Sequence, residues 1–213
     1  MIHRLSYAFA NWIGKHTTES QPVPVMAYGI EILLNTFIQL GAILILAYWL
    51  GHFGPALAVL MAFSLLRIVS GGKHLSTFWR CTVADVILIN FLAWTAVQVA
   101  ATHWSIHGPL LFLLMAGTWF SVHRYAPVIN PKRPRSRLQV HGRRYSKAVV
   151  LAATVLAAIF YPFSATLSAA IGLGMATQGA SITPVGCKAV DHLDRWLSSI
   201  SSKIFIFNLR RDP

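Results

Sequence analysis

Long apolar stretches alternate with short polar connections along most of the chain. Six of these stretches approach the ~20 apolar residues that cross a bilayer, which predicts transmembrane helices. They cover residues 27–50, 55–69, 82–101, 109–122, 147–161 and 163–182, the last two being divided only around Pro162. The pattern therefore predicts an all-α, polytopic membrane protein with about six spans.

The first 20 residues have a different pattern. Apolar side chains recur there at helical spacing, with polar residues between them, which predicts an amphipathic helix lying on the membrane. The whole chain, residues 1–213, is interpreted as a single membrane-embedded domain. Its polar parts are the helix at 1–20, a basic loop at 123–147 and a tail at 187–213.

Composition agrees with a membrane protein. Hydrophobic residues make up 55% of the chain and charged residues 11%, with a mean hydropathy of +0.58. Soluble domains carry about 25% charged residues, so an ordinary hydrated surface is excluded. The two cysteines, Cys81 and Cys187, are far apart in sequence, and no disulfide framework is expected.

The net charge of +12 is explained by topology. All 18 lysines and arginines lie before the first span, after the last span, or in the second and fourth connections and the span ends beside them. By the positive-inside rule, these segments and both termini are predicted to be cytoplasmic. The loop at 123–147 is expected to contact anionic lipid. No nucleic-acid-binding motif is present, so nucleic acid is not an expected partner.

The second connection contains the candidate chemistry. His74 and Cys81 are seven residues apart, which in a continuous helix would separate them by ~10 Å along its axis. Ser70, Gly71 and Gly72 precede them and supply a flexible stretch at which the chain can fold back. If the backbone breaks there, His74 can act as a base and Cys81 as a nucleophile.

Charged neighbours extend this candidate site. Basic groups near the sulfur favour the thiolate that attacks, and they also attract an anionic substrate. The residues expected to bind substrate are Arg67, Lys73, Arg80 and Arg124. Asp85, one turn after Cys81, either orients His74, binds substrate, or is a polar residue satisfied within the bundle. The glycine loop is either a simple turn or also an oxyanion site.

Two segments carry a resemblance to a known family. "RIVSGGKHLSTFWRC", residues 67–81, and "HRYAPVINPKRPRS", residues 123–136, are similar to segments of the accessory gene regulator B (AgrB) family. The resemblance implies a membrane cysteine endopeptidase of bacterial quorum sensing, in the cytoplasmic membrane, with His74 and Cys81 in the catalytic positions. It further implies a precursor signalling peptide as the partner, a thioester intermediate and cyclisation to a thiolactone or lactone.

Other interpretations stay open at this stage. A small peptide transporter or channel would use His74 and Cys81 only for packing or for lining a path. Glu31, Asn35 and Gln39 form a polar stripe that either lines a peptide groove or bonds neighbouring helices. No cofactor is expected, and the histidines lack the spacing of a metal site. The resemblance leaves open whether the chain forms a homodimer.

Overall fold

The computed structural model describes residues 2–16, 22–73, 75–101, 104–128 and 141–209. Eight helices lie within these ranges, and they confirm the all-α class. In chain order they are α1 (Ile2–His16), α2 (Val23–Trp49), α3 (Phe53–Ser70), α4 (Phe78–Ala100), α5 (Trp104–Tyr125), α6 (Gly142–Phe160), α7 (Ala165–Ser181) and α8 (Pro184–Leu209).

The number of clear spans differs from the predicted six. Among the described residues, four helices are long and apolar enough to cross a membrane: α2, α3, α4 and the Ile106–Tyr125 part of α5. Helices α6 and α7 lie where the fifth and sixth spans were predicted. However, α6 carries Arg143, Arg144 and Lys147 near its start. The 17 residues of α7 extend ~25 Å, less than the ~30 Å hydrocarbon core.

The short helix α7 lies at the centre of the bundle and packs against α3, α4, α5 and α6. Its glycines permit this close approach. A Cβ atom on Gly174 would lie 2.7 Å from the carbonyl oxygen of Val59, and one on Gly179 would lie 3.1 Å from the Cα of Thr118. Small residues at helix interfaces are a common way for membrane helices to pack. Helix α7 is therefore covered mainly by protein.

The predicted N-terminal helix is present as α1, and it runs back along α2. The ring nitrogen of His3 lies 3.2 Å from the Glu31 carboxylate, and Gly14 lies near Met26 at the other end of the contact. Large apolar side chains of α1 face outward, with Trp12 62% exposed. This exposed apolar face has the character of a helix that touches lipid.

Candidate functional site

A glycine turn closes the end of α3 that carries the candidate chemistry. The helix ends at Ser70, and Gly71 and Gly72 then adopt φ values of 72° and 147°. Residues with a side chain rarely adopt these angles, so the turn depends on glycine. The backbone break predicted from Ser70, Gly71 and Gly72 is present, since regular helix resumes only at Phe78.

The glycine turn packs against the segment after α5. The Val128 N–H donates to the Ser70 carbonyl oxygen at 2.8 Å, and Gly71 forms a parallel bridge with Val128. A Cβ on Gly71 would lie 2.3 Å from the Val128 oxygen. The Arg143 Nε donates to the Ala126 carbonyl oxygen at 3.0 Å, which connects the start of α6 to the same segment. The two motifs found in the sequence therefore meet at one junction.

Gln178 of α7 holds the other side of the turn. Its side chain is fully buried, and its Nε2 donates to the Ser70 Oγ at 3.0 Å and to the Gly71 oxygen at 2.8 Å. Its Oε1 accepts from Arg67 at 3.3 Å and from the Ser181 hydroxyl at 3.0 Å. Gln178 was not identified from the sequence. The feature that could have indicated it is a single amide side chain among the small and apolar residues of α7.

Cys81 lies in the first turn of α4, where its side chain is partly buried. Its Sγ donates to the Asp85 carboxylate at a sulfur–oxygen distance of 3.6 Å. The Gln39 Nε2 of α2 donates to the same oxygen at 2.5 Å. Asp85 thus contacts the candidate nucleophile, whereas its predicted roles of orienting His74 or binding substrate stay predictions. Gln39 shows that part of the polar stripe of α2 faces this site.

A cavity of about 400 Å³ opens beside Cys81, between α2, α3 and α4. Polar groups gather at one part of its wall, including Gln39, Arg67, Cys81 and Asp85. The rest of the wall is mainly apolar, formed by Ile43, Leu60, Phe63, Ile68 and Ile89. A thiol at the polar part of an apolar cavity suits a substrate that carries apolar side chains beside a reacting polar group.

A second, smaller cavity of about 110 Å³ also reaches Cys81. It lies between the 73–75 segment, α7 and α8, and its wall includes Leu75, Thr177, Val190 and Leu193. Cys81, Asp85, Arg67 and Phe63 line both cavities. Cys81 therefore borders two cavities of unequal size.

The predicted substrate-binding cations lie in different surroundings. Arg67 lines both cavities and donates to the Lys73 carbonyl oxygen at 2.7 Å. The Lys73 ammonium is paired with Asp191 of α8. Arg80 donates to the Ser76 hydroxyl at 3.0 Å. Arg124 stands at the end of α5, where its guanidinium lies over the Tyr125 ring, and it lines neither cavity.

Asp194 of α8 completes the contacts around the 73–80 segment. Its carboxylate accepts from the Ser76 backbone N–H at 3.2 Å and from the Ser76 hydroxyl at 3.0 Å, and it pairs with Arg80 at 3.4 Å. The Ser76 N–H, followed by the Ser76 hydroxyl and Arg80, holds the pKa of this carboxyl below its ordinary value. Asp191 and Asp194 were not singled out in the sequence.

His74 lies outside the described residues, so its distance from Cys81 stays a prediction. The residues on either side of it are placed, with Lys73 paired to α8 and Leu75 in the wall of the smaller cavity. Cys187 lies on α8, where its thiol donates to the Ser181 oxygen at 3.6 Å. Both cysteines are free thiols, as expected.

The fold and the site together define the class of protein. It is a polytopic, helical membrane protein. A partly buried cysteine thiol lies at the end of the helix bundle where the glycine turn packs against the segment after α5. The sequence model of the accessory gene regulator B family matches residues 6–182, which include the glycine turn, Cys81 and Gln178. The chain belongs to the AgrB family.

Individual relatives agree with this assignment. An AgrB-like protein of Halalkalibacterium halodurans is 25% identical over 201 residues, covering 92% of this chain and 94% of the relative. Accessory gene regulator protein B of Staphylococcus intermedius is 26% identical over 65% of this chain and 62% of the relative. The protein of that name from Staphylococcus carnosus is 23% identical over 74% of this chain and 78% of the relative. No solved structure matches the chain.

Proposed function

We propose that this protein is a membrane cysteine endopeptidase that cleaves the precursor of a signalling peptide. Its family comprises accessory gene regulators of quorum sensing. The observation that carries the proposal is the placement of Cys81, which lines two cavities together with Arg67 and Asp85 and lies close in sequence to the glycine turn. A peptide chain extends on both sides of the bond that is cut, so a nucleophile with space on two sides suits this reaction.

The proposed reaction begins with transfer of the Cys81 proton to His74. The sulfur then attacks the carbonyl carbon of the scissile peptide bond, forming a carbon–sulfur bond. The carbon–nitrogen bond breaks as the leaving amine takes the proton from His74. The part of the precursor held as a thioester is released when one of its own side chains attacks the same carbon, which closes a thiolactone or lactone ring and returns the thiol.

The surroundings of Cys81 support parts of this scheme. The Arg67 guanidinium, fixed by Gln178 and by the Lys73 carbonyl oxygen, provides positive charge that favours a thiolate and a developing oxyanion. Asp85 holds the thiol by accepting its hydrogen bond. We assign Asp85 and Gln39 as positioning residues, since they contact the sulfur or its partner.

The orientation is part of the proposal. Arg67, Arg80 and Arg143 lie at the same end of the bundle as the glycine turn, where α3 ends and α4 and α6 begin. Because lysine and arginine near span ends are retained in the cytoplasm, we take this end and both termini as cytoplasmic. The precursor would then be cut at the inner face of the bacterial membrane.

Co-expression with a candidate precursor tests the function. Cys81→Ala and His74→Ala are each expected to abolish cleavage while the amount of membrane protein stays unchanged. Cys187→Ala is the matched control, because it removes the other thiol, and it is expected to cleave normally. Cleavage by the Cys81→Ala or the His74→Ala variant would overturn the proposal.

A further inference from the structure

A basic pocket lies at the start of α6. It has a volume of about 570 Å³, and its wall contains three cationic side chains together with Pro127 and His141. The cations are Arg143, Arg144 and Lys147, which lie on the first two turns of the helix. None of the described residues in this wall also lines a cavity at Cys81. The pocket is therefore separate from the candidate active site.

Within the described parts of the chain, the three cations of this pocket have no carboxylate partner. The structure describes four acidic residues, and each contacts a group outside the pocket: Glu31, Asp85, Asp191 and Asp194. The Arg143 Nε donates to the Ala126 carbonyl oxygen, which holds this guanidinium beside the pocket. Guanidinium groups match the geometry of phosphate oxygens and bind them through paired hydrogen bonds. The pocket therefore suits an external phosphate group.

An apolar groove of about 430 Å³ lies next to the pocket, between α5 and α6. Lys147 connects the two spaces, because it lines the pocket and its Nζ lies 5.9 Å from the centre of the Trp119 ring, which lines the groove. Phe112 and Leu151 in the groove wall are 71% and 59% exposed, so the groove is open at the bundle surface. Along α6 it extends from Val150 to Ala158, ~12 Å at 1.5 Å per residue. One leaflet of the hydrocarbon core is ~15 Å thick, so this length suits an acyl chain.

We infer that the basic pocket and the apolar groove together bind one anionic phospholipid. Its phosphate lies among the three cations of α6, and one acyl chain lies along the groove between α5 and α6. A phosphate joined to a long apolar chain is the chemistry that the two adjoining spaces require, and the bilayer supplies it. Pro127 lines the pocket, and the next residue, Val128, bonds to Ser70 at the glycine turn. The bound lipid therefore stabilises the end of the bundle that carries this turn.

Thermal unfolding of the full-length protein in detergent, titrated with dioleoylphosphatidylglycerol, tests this inference. The unfolding temperature is expected to rise with the lipid concentration, because a ligand of the folded state stabilises it. Dioleoylphosphatidylcholine has the same chains without net charge, and glycerol 3-phosphate has the phosphate without chains, so each is expected to give little or no shift. In the pocket variant, Arg143→Gln combined with Arg144→Gln and Lys147→Gln, the apparent affinity for phosphatidylglycerol is expected to fall about 100-fold, roughly fivefold for each cation.

The matched control for charge is Lys15→Gln combined with Lys188→Gln and Arg195→Gln. It removes three exposed cations outside the pocket and is expected to keep the affinity of the parent. Ala116→Phe fills the groove and is expected to weaken phosphatidylglycerol binding, whereas Ala148→Phe, exposed on α6 outside both spaces, is expected to bind like the parent.

Three results would overturn the inference. They are an equal shift with phosphatidylcholine, an equal shift with glycerol 3-phosphate, and an unchanged affinity for phosphatidylglycerol in the pocket variant or in Ala116→Phe. The measurement contains no precursor peptide, so its outcome is independent of the proposed cleavage reaction.

Discussion

Gln178 is a single residue that connects three parts of the candidate site. It bonds to the hydroxyl of Ser70, the carbonyl of Gly71 and the guanidinium of Arg67, and all of its side chain is buried. A buried polar group that loses its partner pays the full cost of desolvation. The position of the glycine turn relative to Cys81 therefore depends on this amide.

Replacing Gln178 by leucine is expected to lower the free energy of unfolding by about 1–3 kcal/mol, because the groups around the amide are left buried without it. Cleavage is expected to fall more than stability alone explains, since Arg67 and the turn before His74 lose their common partner. Thermal unfolding in detergent and precursor cleavage measure the two effects.

Gln98→Leu is the matched control for this prediction. Gln98 lies on α4 and is exposed, so the same substitution there is expected to change the unfolding temperature little. Equal effects of the two substitutions would contradict the role given to Gln178.

At the scale of elements, the junction between the glycine turn and the segment after α5 depends on Gly71. Gly71→Ala is expected to destabilise the protein by at least the ~1–3 kcal/mol of a strained backbone, since φ is 72° and the new Cβ would meet the Val128 oxygen at 2.3 Å. Thermal unfolding again provides the measurement. Cleavage is expected to be lost with the junction.

Gly41→Ala provides the comparison for Gly71→Ala. Gly41 lies within α2, and a Cβ there meets nothing within 4 Å. Alanine favours helix over glycine by roughly 1 kcal/mol, so this variant is expected to be as stable as the parent or slightly more stable. A loss of stability at Gly41 as large as at Gly71 would refute the explanation.

The contact between α8 and the 73–80 segment is expected to depend on pH. The pKa of Asp194 is lowered, first by the Ser76 N–H, so the ionised carboxylate stabilises the docked helix. This contribution is fully present above the ordinary pKa of about 3.9, and it is lost as the pH falls through the lower value of the folded protein. Lys73 pairs with Asp191 and Arg80 with Asp194, so these two cations face the carboxylates of α8.

Hydrogen exchange of the Ser76 amide, corrected for its intrinsic rate at each pH, measures this dependence. Protection is expected to persist down to about pH 4 and to disappear below it. In Asp194→Asn, weaker protection is expected above about pH 4, where the carboxylate of the parent protein is ionised. Unaltered protection at pH 3 would show that this carboxylate does not hold the segment.

The elements show which local features a sequence reveals. The glycine turn was predictable because two adjacent glycines interrupt an apolar helix. The start of α4 was predicted at residue 82 but lies at Phe78, because hydropathy does not mark a first helical turn that contains Arg80. Helix α8 was expected only as a tail. Its contacts join residues 118 positions apart, and no local pattern specifies such a pairing.

For the whole molecule, the packing of α7 against its neighbours is the main determinant of the bundle. Gly174→Ala is expected to cost about 1–3 kcal/mol, because its Cβ would lie 2.7 Å from the Val59 backbone oxygen. Gly172→Ala is expected to cost less than ~1 kcal/mol, since the contact there is the end of the flexible Leu111 side chain.

Thermal unfolding of both variants in the same detergent separates these cases. The two substitutions add the same methyl group to one helix, so helix propensity cancels in the comparison. A larger loss at Gly172 than at Gly174 would show that α3 does not limit the approach of α7.

The membrane class of the whole molecule followed from the apolar stretches, while the span count did not. Hydropathy identifies helices that are long and apolar enough to cross a membrane, as α2 to α5 are. Helix α7 is surrounded by other helices, and its sequence consists mainly of small residues, which allow close packing. Its central position could therefore not be predicted without knowing its neighbours.

The position of α7 after its packing partners in the chain has a consequence for biogenesis. Ribosomes make α1 to α6 before Ala165 emerges, so α3, α4, α5 and α6 are made without their common partner. Assembly of the bundle must wait until α7 has been made. A nascent chain that stops before this point exposes four unfinished helix surfaces to chaperones and membrane proteases.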